Sequence, residues 1–281
     1  MFLNINIIDE LIEIALKEDI GSGDITTNSI ILPEHRVTGL IIAKEEGVIA
    51  GLPVAENIFR RLDFHLSFYP LVQEGEQVKG GQPLARVEGN ARAILTGERL
   101  ALNFLQRLSG IATKVNYLVG LIKGSRAKIV DTRKTTPGLR VLEKYAVRIG
   151  GGGNHRFGLY DAVLIKDNHL QVTGSIRRAV QLARSIAPLT AKIEVEVEDL
   201  EGVQEALVAG ADIIMLDNMD PSTTQAAVKL VAGRALLEAS GGINERNILA
   251  IAQTGVDFIS VGALTHSARA LDISLELGRA R

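Results

Sequence analysis

The sequence predicts an α/β protein in which a small β-rich part precedes a series of parallel strands with crossover helices. Two observations predict it. From Val37 to Val87 the chain runs as short alternating or apolar segments between Gly-, Pro- and Glu-rich turns. From residue 127 onward, strand-like runs alternate with amphipathic helical stretches, the rhythm of βα units around a parallel sheet.

The elements follow in order. Ile7, Ile8, Leu11, Ile12, Ala15 and Leu16 recur at helical spacing, and "EDIGSGDITT" ends that helix with glycines. The runs "VTGLIIAKEEGVIAG", "HLSFYPLV" and "PLARVEG" supply the small β-rich domain. Within it, "EGEQVKGGQPLARVEG" resembles the turn-strand pattern of biotinyl and lipoyl carrier domains, without the hairpin lysine those domains display. Leu100, Phe104, Leu105, Leu108, Ile111, Val115, Leu118 and Leu121 then mark one long helix, with a kink expected at Gly110. Six strand-like runs follow: "AKIVD", "AVLIK", "AKIEVEV", "DIIML", "ALLEAS" and "DFISVG". Pattern alone leaves barrel and open sheet both available, and the glycine pairs at the strand ends favour a barrel.

Composition narrows the function classes. A net charge of −2 over 281 residues gives no general attraction to nucleic acid or an anionic membrane, so any anion site is local. No run reaches the ~20 apolar residues of a membrane span, and the opening lacks a basic segment followed by an apolar one, so a cytoplasmic protein is expected. The chain has no cysteine, which removes disulfides, thiolate nucleophiles and Cys-bound zinc.

In βα folds the ligand site gathers at the C-terminal ends of the strands, so the residues just after each strand carry the functional reading. They are Asp131 to Lys134, Lys166 to His169, Glu194 to Glu196, Asp217-Asn218, Ser240-Gly241-Gly242 and Gly262-Ala263, with His155 and Arg156 in the intervening "GGGNHR". Taken singly, Arg133 or Lys134 reads as a solvated charge, His155 as a structural histidine, and Glu196 as half of an ion pair. Together the cations repel one another unless an anion sits among them, which implies a substrate with several carboxylates or phosphates. Glu196 and Asp217 face them, a pair suited to a divalent metal carried by a phosphorylated ligand, to developing positive charge on a sugar carbon, or to an ion pair with Arg133 or Lys166. "ASGGI" and "SVGALTHS" let backbone amides approach a phosphate, bringing in Ser240, Gly241, Gly242, Ser260 and Gly262.

The ordered motifs "DTRKTTPGLR", "KYAVRIGGGGNHRFGLYDAVLIKDNH", "EVEVEDL", "IIMLDNM", "ASGGI" and "ISVGALTHS" closely resemble the quinolinate phosphoribosyltransferase family, over nearly the whole chain. The resemblance implies an N-terminal α/β sandwich domain over residues 1–112, with 271–281 packing back on it, and an α/β barrel with an incomplete strand set over 113–270. It implies transfer of phosphoribosyl from phosphoribosyl pyrophosphate to quinolinate with decarboxylation, Mg²⁺ as cofactor, and a homodimer with shared active sites. Carried onto this sequence, Arg133, His155 and Arg156 would bind the quinolinate carboxylates, with Arg99 supplied by the other subunit. Lys134 and Lys166 would meet carboxylate or pyrophosphate oxygens, Glu196 and Asp217 would hold the metal, and Ser240, Gly241, Gly242, Ser260 and Gly262 the ribose phosphate. Three rivals stand beside this reading: a molybdenum-associated paralogue that shares "DTRKT", a Schiff-base aldolase using Lys166, and a non-catalytic phosphate-ligand binding module.

Overall fold

The computed structural model describes residues 5–278; the side chains of residues 5–7, Ile7 among them, and the last three residues of the segment 271–281 lie outside what is described. In chain order the elements are α1 (Ile5–Ile20), α2 (Ile25–Ile30), β1 (Arg36–Ala43), β2 (Gly47–Val48), α3 (Leu52–Leu62), β3 (Ser67–Pro70), β4 (Gln77–Val78), β5 (Pro83–Asn90) and α4 (Ala91–Leu121). After them come β6 (Lys128–Val130), α5 (Arg140–Ile149), β7 (Val163–Ile165), α6 (Asp167–Thr173), α7 (Ile176–Ile186), β8 (Ile193–Val197), α8 (Leu200–Ala209) and β9 (Ile213–Asp217). The chain closes with α9 (Pro221–Val231), β10 (Leu236–Ser240), α10 (Ile248–Gln253), β11 (Phe258–Ser260), α11 (Ala263–His266) and β12 (Ile273–Leu277).

One compact unit takes residues 5–116, 136–151 and 268–278. Its four-stranded antiparallel sheet has the order β12-β1-β5-β3. Ile41, Ala43, Ala85 and Val87 are buried, and α3 and α4 add Ile58, Phe59, Ile94, Ala101 and Leu105. Each such Leu, Ile or Phe contributes about 1.5–3 kcal/mol through burial. Two helices lie where the sequence showed none. Asp24 caps α2 by accepting from the Thr27 N–H at 2.9 Å, and Pro53 opens α3. Gly110 serves close approach: a Cβ there would lie 2.0 Å from the Arg269 carbonyl oxygen. The glycine lies within a continuous helix of 31 residues.

The other unit covers 117–135 and 152–267 and contains six parallel strands in the order β6-β11-β10-β9-β8-β7. All six runs read from the sequence form strands, and the alternation within them sorts two faces. Ile193, Val195, Ile214, Leu216, Leu237, Ala239 and Ile259 are buried, on the face that apolar crossover helices cover. The opposite, inward face carries Glu194, Glu196, Met215, Asp217, Glu238, Ser240 and Ser260 in neighbouring registers. Crossover helices are capped at their N-termini by Ser175, Asp199 and Asp220.

The edge strands β6 and β7 do not pair in this sheet. Beside β6, Gly153 forms a parallel bridge with Val130, donating to Ile129 O at 2.8 Å and accepting from the Asp131 N–H at 3.2 Å. A Cβ on Gly153 would approach Val130 Cγ1 to 3.1 Å, which accounts for glycine in this place. "GGGNHR" therefore runs where a further strand would complete the cylinder. The unit is an α/β barrel with an incomplete strand set.

Candidate active site

At the C-terminal ends of these strands is a cavity of about 570 Å³. Loop residues after β6 bring Thr132, Arg133 and Lys134 to it, the seam segment brings His155 and Arg156, and Lys166 follows β7. Glu196, Asp217 and Asn218 come from the next strand ends, with Ser240, Gly241, Gly242 and Ser260 beyond. The inward alternation of β8, β9 and β10 dictates this: Glu196, Asp217 and Ser240 stand at or near the last inward position of each strand.

Most residues singled out in the sequence thus meet in one place. Gly262 lies beside it: a Cβ there would come within 3.1 Å of Lys134 Cδ, and Thr265 Oγ1 donates to the Lys134 carbonyl at 2.7 Å. Arg99 is on α4, in the other unit, and exposed. His169 instead accepts from the Lys166 N–H through Nδ1 at 2.9 Å, closing the first turn of α6.

The charges are not evenly compensated. Lys166 pairs with Glu196, one of the ion pairs the sequence allowed. Arg133 and Lys134 are exposed. Burial, and after it the nearby Arg133 charge, pull the Arg156 guanidinium below its ordinary value, against Glu194 and Asp161. Two arginines that repel in this way favour an anion between them. On the opposite wall, Asp217 accepts from Asn218 Nδ2 at 2.8 Å. Glu196 and Asp217 offer only oxygen donors, a set that fits Mg²⁺.

At the tight turn after β10, Gly241 has φ +87° and Gly242 φ +59°. A side chain on Gly241 would meet Asn218 Oδ1 at 2.3 Å, so the strand ends of β9 and β10 pack at backbone distance. At and beneath the cavity floor are two groups whose burial the sequence does not reveal. Asp131 is fully buried and accepts from Asn154 Nδ2 at 2.6 Å and from the His155 N–H at 2.9 Å. Glu238 is 2% exposed, and burial, then the Glu194 charge, push its carboxyl up to about 8. Its one signal in the sequence was a carboxylate inside the apolar run "ALLEAS", two residues before Ser240.

A barrel with cationic loops, a carboxylate pair and a glycine turn around one cavity defines an enzyme acting on phosphorylated, multiply anionic substrates. Residues 111–276 match the C-terminal domain of quinolinate phosphoribosyl transferase and residues 24–109 its N-terminal domain. A probable nicotinate-nucleotide pyrophosphorylase [carboxylating] of Bacillus subtilis is 48% identical over 92% of this chain and 90% of its own length. Its counterpart in Synechocystis is 50% identical over 97% of this chain and 93% of its own. The solved structure of the nicotinate-nucleotide pyrophosphorylase from Francisella tularensis superposes with a TM-score of 0.91 at 42% identity, covering 97% of this chain and 96% of that one. The chain belongs to the quinolinate phosphoribosyltransferase family, and it is a phosphoribosyltransferase.

Proposed function

We propose how this cavity performs the family's reaction, the transfer of phosphoribosyl from phosphoribosyl pyrophosphate to quinolinate with loss of carbon dioxide, giving nicotinate mononucleotide and pyrophosphate for NAD biosynthesis. The observation that carries the assignment is the gathering of Arg133, Lys134, Arg156 and Lys166 around one cavity whose other side is Glu196, Asp217 and the Ser240-Gly241-Gly242 turn. Quinolinate is a dianion, and Arg133 and Arg156 suit its carboxylates by offering forked N–H groups. His155 stands beside them. Lys134 and Lys166 take carboxylate or pyrophosphate oxygens, and Ser240, Gly241, Gly242, Ser260 and Gly262 take the ribose phosphate.

The pyridine nitrogen attacks the anomeric carbon as pyrophosphate leaves, and positive charge develops on the sugar ring. Glu196 and Asp217 favour that charge, while the lysines favour the departing pyrophosphate. Glu196 and Asp217 would also hold Mg²⁺, which when bound neutralises pyrophosphate oxygens. Decarboxylation then follows because the ribosylated pyridinium nitrogen stabilises the adjacent carbanion left as the carbon–carboxylate bond breaks, and that carbon takes a proton from solvent to give nicotinate mononucleotide. The protein supplies position and charge, with no covalent intermediate.

A homodimer in which Arg99 reaches the neighbouring subunit's cavity belongs to the same proposal; its exposed place on α4 supports it. So does a cytoplasmic location; among the described residues no helix is long and apolar enough to cross a membrane. The test is to incubate the purified protein with quinolinate, phosphoribosyl pyrophosphate and Mg²⁺ and to follow nicotinate mononucleotide by chromatography, with nicotinate as a parallel substrate. Product from quinolinate alone is expected. No product from quinolinate would overturn the reading.

A further inference from the structure

At the floor of the cavity, inside the barrel, His155 is held from two strands at once. Its Nδ1 accepts the Arg156 N–H at 2.8 Å, so the ring proton sits on Nε2. That N–H points at Glu194 Oε2, 2.9 Å away, with Glu238 Oε2 behind it at 3.6 Å. The backbone N–H of the same residue is taken by Asp131 at the end of β6. Imidazole ring and backbone are therefore tied to β8 and to the end of β6, beside the seam that no strand closes among the described residues.

Glu194 and Glu238 are each 2% exposed, and each has an Oε1 with no hydrogen-bond partner among the described residues. Retaining two such groups is costly, since an apolar pair would fill the interior without the loss of hydration. The three ligand atoms lie within 4.8 Å of one another, a spacing that also suits a metal ion. The hydrogen bond at Nδ1 decides against this, because a neutral imidazole that accepts there has no lone pair at Nε2 to give. What Glu194 does have is a grip on the residue next to Arg156. Arg156 itself is tethered by Nη1 to the Ala162 carbonyl at 3.1 Å, and its Nε is buried without a partner.

We propose that Glu194 is a positioning residue: as acceptor of the His155 Nε2–H it fixes the seam segment so that the Arg156 guanidinium is held at the carboxylate-binding side of the cavity. The effect is specific to one substrate. Arg156 meets the pyridine carboxylates, whereas the ribose phosphate of the donor is held by the glycine turns on the other strands. This inference rests on that division of the cavity between the two substrates.

The test has three parts. First, ¹⁵N spectra of the full-length protein without substrate should show His155 as the neutral Nε2–H tautomer; a protonated Nδ1 or a bare Nε2 would overturn the proposal without touching the assignment of the substrates. Second, Glu194→Ala should weaken quinolinate binding about 10- to 100-fold, the cost of a hydrogen bond to a charged group. It should leave phosphoribosyl pyrophosphate binding within about threefold, and Glu194→Gln, which still accepts from Nε2–H, should recover most of the loss. Third, because Glu194 acts through His155, Glu194→Ala should add nothing in a His155→Ala background. Equal losses for both substrates, additive effects, or failure of the Gln variant to recover affinity would each refute the role. Loss of quinolinate binding in Arg133→Ala alone, with Glu194→Ala silent, would leave the substrate assignment standing and remove only this inference.

Discussion

Replacing Gly241 with alanine isolates how tightly the phosphate turn is built. The residue has φ +87°, in the left-handed region, where an L side chain costs about 1–2 kcal/mol. Its new Cβ would also lie 2.3 Å from Asn218 Oδ1, 2.5 Å from Asn218 Cγ and 2.7 Å from the Asn218 backbone nitrogen. Asn218 has little room to withdraw, because it too has positive φ, +54°, and its N–H donates to the Ser240 carbonyl at 2.9 Å. Overpacking of this kind adds about 1–3 kcal/mol, so Gly241→Ala should cost about 2–5 kcal/mol. The neighbour is the control. Gly242 has φ +59° but its nearest contact for a Cβ is 3.9 Å, so Gly242→Ala should cost only the conformational part, about 1–2 kcal/mol. Urea denaturation of both variants measures the difference. Adding Asn218→Gly to Gly241→Ala should return part of the loss by removing the Oδ1 and Cγ overlaps, a coupling of about 0.5 kcal/mol or more. If the two alanine variants agree within about 0.5 kcal/mol, the close approach of the β9 and β10 ends does not govern this turn.

Three further outcomes follow from the same geometry. Arg133→Ala should lose about 2–5 kcal/mol of transition-state stabilisation, read from kcat/KM for quinolinate; normal turnover would remove Arg133 from the site. Mixing Arg99→Ala with Arg133→Ala subunits should restore part of the activity by repairing one shared site per heterodimer, and no complementation would place Arg99 within its own subunit's chemistry. The Glu238 carboxyl, pushed up to about 8 by burial, holds a proton in the folded chain that the unfolded chain releases near its ordinary value of 4.5. Stability should therefore decline as pH rises through that interval and Glu238→Gln should flatten the decline, measured as denaturation midpoints from about pH 5 to about pH 8; an unchanged slope would refute the buried proton.

The six strands of the barrel were legible because each is an apolar run that stops at a charge or a glycine, and the site was legible because barrel ligands meet those stops. Helix α3 was hidden for the opposite reason. Val54, Ala55, Ile58 and Phe59 have helical spacing, but the stretch is only 11 residues and sits among strand-like runs, so the surrounding pattern absorbed it. Gly110 shows a use of a central glycine that the sequence does not reveal: in this long apolar helix the missing Cβ admits the backbone at Arg269. Asp131 reads as one more charge of "DTRKT" yet is fully buried, anchoring the segment that carries His155. The Glu194, Glu238 and His155 grouping was not legible at all. It exists only through strand register, with β9 separating the two glutamates and the histidine coming from outside the strands.

The bridge at Gly153 has a consequence for how this fold can change over time. A cylinder closed by a paired strand keeps its circumference whatever happens at its mouth. Here a handful of bonds from Gly153 and Asp131 bind the wall to the stretch that presents Arg156, so architecture and recognition share the same few atoms. Substitutions that drift toward a different acid in the pocket must pass through states in which the wall itself is looser. New specificity should therefore arise more readily at the rim, through Arg133 or Lys134, than along the joint.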